Sequence, residues 1–175
     1  EKKIIGLQGG IMDQFAIMLS KENHVMMLDC RSTDHTFITA DLPGCIWLLI
    51  NTKVKHKLID SDYNSRGDEC QQAVFLIRES YPDVNSLRDV KLEMLHEVPL
   101  PEILLQRCIF VIEENDRVTQ MVEALKQHDP VRAGLLLQSS NQGLSRQDEV
   151  SCEALDHLAP FPYGLEVLLW AGMLG

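Results

Sequence analysis

Hydrophobic positions along the chain change their period twice. Just after Gly9-Gly10, Phe15, Met18 and Leu19 fall at helical spacing, which predicts a short helix over residues 12–19 with Asp13 in its first turn. Compact apolar runs come next. Val25-Met26-Met27-Leu28 predicts a buried strand over residues 24–30 and Ile46-Trp47-Leu48-Leu49-Ile50 another over 45–51, with Pro43-Gly44 as punctuation between them. Residues 36–39 suit a short third strand. From residue 61 the steps lengthen to three and four: Tyr63, Arg66, Cys70, Ala73, Val74 and Ile77 mark an amphipathic helix. Asp60, Ser61 and Asp62 supply its capping, and Tyr81-Pro82-Asp83 ends it. A longer helix over residues 101–128 gathers Leu104, Cys108, Val111, Val118, Met121, Val122 and Leu125 on one face. Glu113, Glu114, Asn115, Asp116 and Arg117 then read as a solvated face. Pro130 opens a further helix with Val131, Leu135 and Leu136 on its apolar side. A strand-containing first third followed by helices is an α+β architecture, with no internal repeat and no Gly/Ser linker.

Composition narrows the function classes. The 175 residues are 45% hydrophobic and 24% charged, ordinary globular values, and carry a formal charge of −10. Such a chain lacks the basic stripe that grips nucleic acid or acidic lipid. Lys53, Lys55 and Lys57 read as a solvated loop rather than a phosphate clamp. Five scattered cysteines without a CxxC pair read as reduced, mostly buried thiols, Cys30 and Cys70 among them. The six histidines are too dispersed for a metal site or a catalytic triad. With no apolar run of about 18 residues and no leader pattern, a cytoplasmic protein is expected. The start at Glu1-Lys2-Lys3 and the apolar end around Leu168-Leu169-Trp170 lead us to expect an interior piece of a longer chain.

Six ordered blocks add an activity to this fold class. They are Gly10-Ile11-Met12-Asp13-Gln14-Phe15, Asp29-Cys30-Arg31-Ser32, Asn51-Thr52-Lys53-Val54-Lys55-His56, Asp62-Tyr63-Asn64-Ser65-Arg66 with Cys70, Glu114-Asn115-Asp116-Arg117-Val118, and Glu149-Val150-Ser151-Cys152 with Leu155-Asp156. In that order and at those intervals the chain resembles the galactokinases of the GHMP kinase superfamily, which phosphorylate galactose at its anomeric hydroxyl with ATP. The resemblance implies that residues 1–42 end the amino-terminal domain of that fold and that residues 43–175 form part of its helix-rich carboxy-terminal domain.

It further implies site roles. Asp13 matches the catalytic base, the backbone at Gly10 contacts galactose, and the Tyr63 phenol hydrogen-bonds the same sugar. Taken alone, Asp13 would be an ordinary helix-start carboxylate and Tyr63 a packing residue. The resemblance also implies ATP and Mg2+ as cofactors, galactose as substrate and a monomer at full length. The Gly/Ser-rich phosphate loop of the family is absent from the chain, and so are the residues that hold Mg2+. The stretch from Tyr163-Gly164-Leu165 to Gly175 departs from the family's late glycine-rich motif. No turnover is therefore expected from the chain by itself. A non-catalytic galactose sensor and a sister kinase acting on N-acetylgalactosamine are the alternatives. Phe15 and the Asp29-Cys30-Arg31-Ser32 block favour the galactose branch over the latter.

Overall fold

The computed structural model describes residues 10–47 and 63–152, with only the backbone described for Tyr63 and Asn64. In chain order the elements are α1 (Met12–Leu19), β1 (His24–Leu28), β2 (His35–Thr39), α2 (Tyr63–Arg78), α3 (Leu92–Leu95), α4 (Glu102–Lys126) and α5 (Pro130–Arg146). A 3-10 turn, Leu87–Asp89, precedes α3. This is the α+β arrangement expected from the periodicity. The segment expected as a strand over 45–51 has no regular structure at residues 45–47, and its remainder lies outside the described residues. The proposed caps of α2 at Asp60, Ser61 and Asp62, the lysine loop and the late apolar segment also lie outside them.

The scaffold is a helical body built on α4. Ala73 and Ile77 of α2 meet Leu104 and Cys108 of α4, and Val84, Leu87, Val90, Leu95 and Val98 of the intervening segment close the same core. Two devices make the sharp corner between α4 and α5. His128 adopts a left-handed φ of 54°, which lets the Asp129 amide reach back to the Ala124 carbonyl at 2.9 Å. Asp129 then caps α5 by accepting from the Arg132 amide at 3.0 Å, with Pro130 in the first turn.

Along α5 the expected apolar face is corrected in part: Leu136 packs against the core at the α4–α5 corner, but two of its neighbours do not. Val131 is 71% exposed and Leu135 59%, whereas Ala133, Asn141 and Gly143 are the buried positions. Small residues win the inner face because α5 lies close against α4. A Cβ at Gly143 would come within 2.7 Å of the Phe110 ring, itself buried. Gly143→Ala is therefore expected to cost about 1–3 kcal/mol, measurable as a lower denaturation midpoint, even though alanine is the better helix former. The acidic stretch of α4 is corrected too. Arg117 lies 5.9 Å above the Phe110 ring and pairs with Glu114 at 2.6 Å, and Glu114 accepts from Ser140 of α5 at 2.5 Å. Glu113, Glu114 and Arg117 are thus half-buried, whereas Asn115 and Asp116 are exposed as expected.

The two strands pair as an antiparallel hairpin with Val25 opposite Ile38 and Met26 opposite Phe37. Side chains alternate between faces, so the apolar run splits in two. Ile38 and Val25 pack on Ala124, Leu125 and Ala133 at the α4–α5 corner. On the opposite face His24, Phe37 and His35 stack edge-on, and Phe15 of α1 meets His35 with centroids 6.4 Å apart. The hairpin thus packs on the helical body by one face and touches α1 by a ring contact on the other. Isolated two-stranded hairpins are marginal in water, so its order depends on these contacts.

Candidate functional site

Asp13 stands in the first turn of α1, half-buried. No hydrogen-bond or ion-pair partner of its carboxylate lies among the described residues. A carboxylate at a helix start is favoured by the backbone dipole, and with no partner among the described residues its oxygens can accept a hydrogen bond from a ligand. Gly10 lies just before the helix, exposed, and a Cβ placed there would meet no atom within 4 Å. The backbone is open to approach there. Tyr63 opens α2, and its side chain lies outside the described residues.

Phe15 on His35 links the helix that bears Asp13 to the hairpin, whose turn carries one of the sequence blocks. Asp29 accepts from the amides of Arg31 at 2.8 Å and Ser32 at 3.3 Å, holding the turn, with Thr33 at a φ of 66°. The two oxygens of Asp29 also engage the Arg88 guanidinium, one of them at 2.7 Å, while Arg31 reaches Asp89 at 2.9 Å and the Ser86 hydroxyl at 2.5 Å. This reciprocal latch ties the hairpin tip to the 3-10 turn. At the hairpin's other end, the Asp41 carbonyl meets His128 Nδ1 at 2.8 Å. Cys30, expected in the core, is exposed on the latch turn because Asp29 and Arg31 take the structural roles there. Cys70 and Cys108 fit the inert reading: burial pushes their thiols up to about 11 and about 12.

The Arg88 side chain, helped by the Arg31 amide, holds the Asp29 carboxyl well below the usual carboxylate range. The Arg31 side chain, with the Asn85 amide, lowers Asp89 from 3.8 to about 2. Both carboxylates bind their proton more weakly in the folded chain. Their stabilisation is present above about pH 4 and is lost as the pH falls toward about 2. A variant carrying Asp29→Asn and Asp89→Asn should show a flatter acid limb in urea midpoints measured across that window. An equal slope in variant and parent would show that the latch carries no stability.

A second polar network lies beneath α2, α4 and the end of α5. Arg107 is fully buried, with Nε on Glu69 at 2.8 Å, Nη2 on Glu149 at 2.6 Å and Nη1 on the Gln147 carbonyl. Arg66 donates to the Asp148 carbonyl at 2.7 Å and pairs with Glu69 at 3.0 Å. Burial pushes the Asp148 carboxyl up, against the opposing pull of Arg107 and Arg66. Arg107 was not among the residues singled out by pattern. Its signal is an arginine three residues after Leu104 and directly before Cys108, inside the apolar stripe of α4. No group of three or more His, Cys, Asp or Glu among the described residues could hold a metal ion. No described helix is long and apolar enough to cross a membrane.

Comparison with known proteins identifies this layout. Over all 175 residues the chain is 37% identical to the galactokinase of Thermotoga neapolitana, covering 48% of it. To the galactokinase of Thermotoga maritima it is 35% identical, again covering 48% of that protein. The crystal structure of Lactococcus lactis galactokinase complexed with galactose superposes with a TM-score of 0.83 at 27% identity, over 91% of this chain and 42% of that one. The chain is a relative of galactokinases. No protein-family model matches it. It spans about half the length of the curated galactokinases it matches. Within this galactokinase-like fold, Asp29, Arg31, Arg66 and Glu149, which carried the resemblance in sequence, are the residues that fasten its parts together.

Proposed function

We propose that this chain is the part of a galactokinase that carries the catalytic base and part of the sugar pocket, with residues 1–42 ending one domain and 43–175 belonging to the next. The observation that carries this reading is the end-to-end likeness to galactokinases at 37% identity, joined to the 0.83 TM-score against the galactose-bound Lactococcus lactis enzyme. In the proposed reaction Asp13 accepts the proton of the anomeric hydroxyl of galactose. The freed oxygen forms its bond to the γ-phosphorus of ATP, the bond to the bridging oxygen breaks, and ADP leaves. Gly10 presents its backbone to the sugar, and the Tyr63 phenol orients the ring by one directional hydrogen bond.

ATP binding and Mg2+ are part of this reading through the resemblance alone. The described residues hold no cluster that fits a metal, so no step is routed through Mg2+. Positioning and charge neutralisation of the triphosphate supply most of the acceleration in phosphoryl transfer. The 175-residue chain by itself is accordingly expected to release no ADP in response to galactose. It should do so when joined to the portion of Thermotoga neapolitana galactokinase that it does not cover. A coupled ADP assay with galactose and N-acetylgalactosamine in parallel arms checks both points. Galactose-dependent ADP from the chain alone would refute the division of labour, and preference for the amino sugar would refute the substrate.

A further inference from the structure

We propose that Arg66 is a positioning residue for the sugar: it ties the start of α2, where Tyr63 stands, to the chain that leaves α5. Tyr63 is the first residue of the helix and Arg66 follows it by one turn. A helix start carries amides without intrahelical partners and frays unless something holds it. Arg66 supplies a hold that does not depend on capping. Its Nε donates to the Asp148 carbonyl at 2.7 Å, and its Nη1 donates to the two oxygens of Glu69 at 3.0 and 3.2 Å. Its Nη2 stands 3.8 Å from Glu149. With a side chain only 15% exposed, this guanidinium escapes much of the solvent screening that makes surface ion pairs weak.

The far end of the tie is itself held. The Asp148 amide donates to the Gly143 carbonyl at 3.0 Å and the Val150 amide to the Leu144 carbonyl at 3.1 Å, with Glu149 between them at a left-handed φ of 54°. Arg107, fully buried in α4, grips the Gln147 carbonyl, Glu149, and the same Glu69 carboxylate that Arg66 holds. Two arginines thus take hold of three consecutive residues, and Glu69 closes the ring between them. Without the Arg66 guanidinium, Glu69 and Glu149 keep Arg107, and Ala73 and Ile77 keep their core contacts with α4. What is lost is the tie between the first turn of α2 and Asp148. The inference deepens the galactokinase reading and rests on it for the role of Tyr63: one directional hydrogen bond to the sugar is only as good as the placement of the backbone that carries it.

The test joins the chain to the portion of Thermotoga neapolitana galactokinase that it does not cover and measures ADP release against galactose. Arg66→Met should raise the KM for galactose by roughly 5–10-fold with kcat within about 3-fold of the parent. Tyr63→Phe should raise KM similarly, and adding Arg66→Met to it should raise KM no further, because both changes remove one contact. Arg66→Lys keeps a charge on Glu69 but cannot serve Glu69 and the Asp148 carbonyl with one planar fork, so its KM should lie between those of the parent and Arg66→Met. It carries the same test should the methionine variant not fold. Lys126→Gln, which breaks an exposed pair on α4, is the control and should leave KM unchanged. In parallel, the 175-residue chain is labelled with 3-fluorotyrosine, and the Tyr63 signal, assigned by its loss in Tyr63→Phe, should shift or broaden in both Arg66 variants. A Tyr63 signal unmoved by them overturns the proposal. So do effects of Arg66→Met and Tyr63→Phe on KM that multiply, which would make Arg66 act elsewhere. A Tyr63 signal that moves while Tyr63→Phe leaves KM unchanged refutes the sugar contact and leaves the hold of Arg66 on the helix start standing.

Discussion

Replacing Arg107 by leucine is expected to lower the free energy of unfolding by about 3–5 kcal/mol. The guanidinium is fully buried and satisfies Glu69, Glu149 and the Gln147 carbonyl together. Removing it strands the Glu69 carboxylate, 21% exposed, and the Gln147 carbonyl, while Glu149, 55% exposed, can turn to water; a poorly solvated acceptor without a donor costs more than its hydrogen bond contributed. Against a total stability of about 5–15 kcal/mol for a typical domain, that loss is a large fraction. Urea unfolding followed by circular dichroism gives the number. Lysine at 107 keeps the charge but cannot serve three acceptors in fork geometry, so it should recover only part of the loss. A triple change, Arg107→Met with Glu69→Leu and Glu149→Leu, distinguishes the causes. If stranded acceptors are responsible, the triple variant should be more stable than Arg107→Leu. If it is less stable still, packing around the arginine stem is the larger factor.

Asp13→Asn carries the largest expected effect on activity. In the assembly of this chain with the galactokinase portion it does not cover, kcat for galactose should fall by about 10²–10⁴-fold. Asparagine keeps the size and hydrogen-bonding reach of the side chain but cannot accept the hydroxyl proton. The KM for galactose should stay within a factor of about 3, because ground-state contacts are retained. Steady-state ADP release at saturating ATP measures both constants. An unchanged kcat would remove Asp13 from the chemistry and return it to the role of a helix-start carboxylate. A rise in KM at constant kcat would make it a binding group only.

The helices were legible because their apolar positions recur at the right period over many turns. The long α4 lies within a residue or two of where the spacing puts it, and α2 ends at Arg78, just before Tyr81-Pro82-Asp83. The hairpin was harder. Val25 to Leu28 reads as one apolar run, but the run serves two different neighbours, the α4–α5 corner on one face and α1 on the other. Periodicity reports that a residue is apolar without reporting which partner it meets. Helix α5 was misread for a related reason. Contact distance there is set by Gly143 against Phe110, a close approach that rewards small residues and leaves Val131 and Leu135 in solvent. Glu114 looks like solvated charge because its partner Ser140 lies on another helix, and Arg117 because its contact with the Phe110 ring, two turns back on α4, depends on where the side chain folds.

The candidate site was readable only through resemblance. Asp13 shows no local signature beyond its helix-start position, and its catalytic assignment comes from the block Gly10 to Phe15. The structure adds that its carboxylate has no partner among the described residues. Residues that fasten the site gave a different lesson. Asp29, Arg31 and Glu149 stood in the motifs, but only three-dimensional placement shows that they grip Arg88, Asp89 and Arg107 across 59, 58 and 42 residues. Long-range ion pairs leave no periodic trace in a single sequence.

The hairpin has one further consequence, for handling the polypeptide. Among the described residues its sheet contains two strands and no more, so each strand is an edge on its outer side. Outward-facing amide and carbonyl groups on such edges are templates for a strand from another molecule, and the Val25-Met26-Met27-Leu28 run has no charge or proline to discourage it. Concentrated preparations of this chain should therefore lose material through strand addition at β1, and Met27→Lys, at an exposed position on that strand, is the change that would keep them in solution.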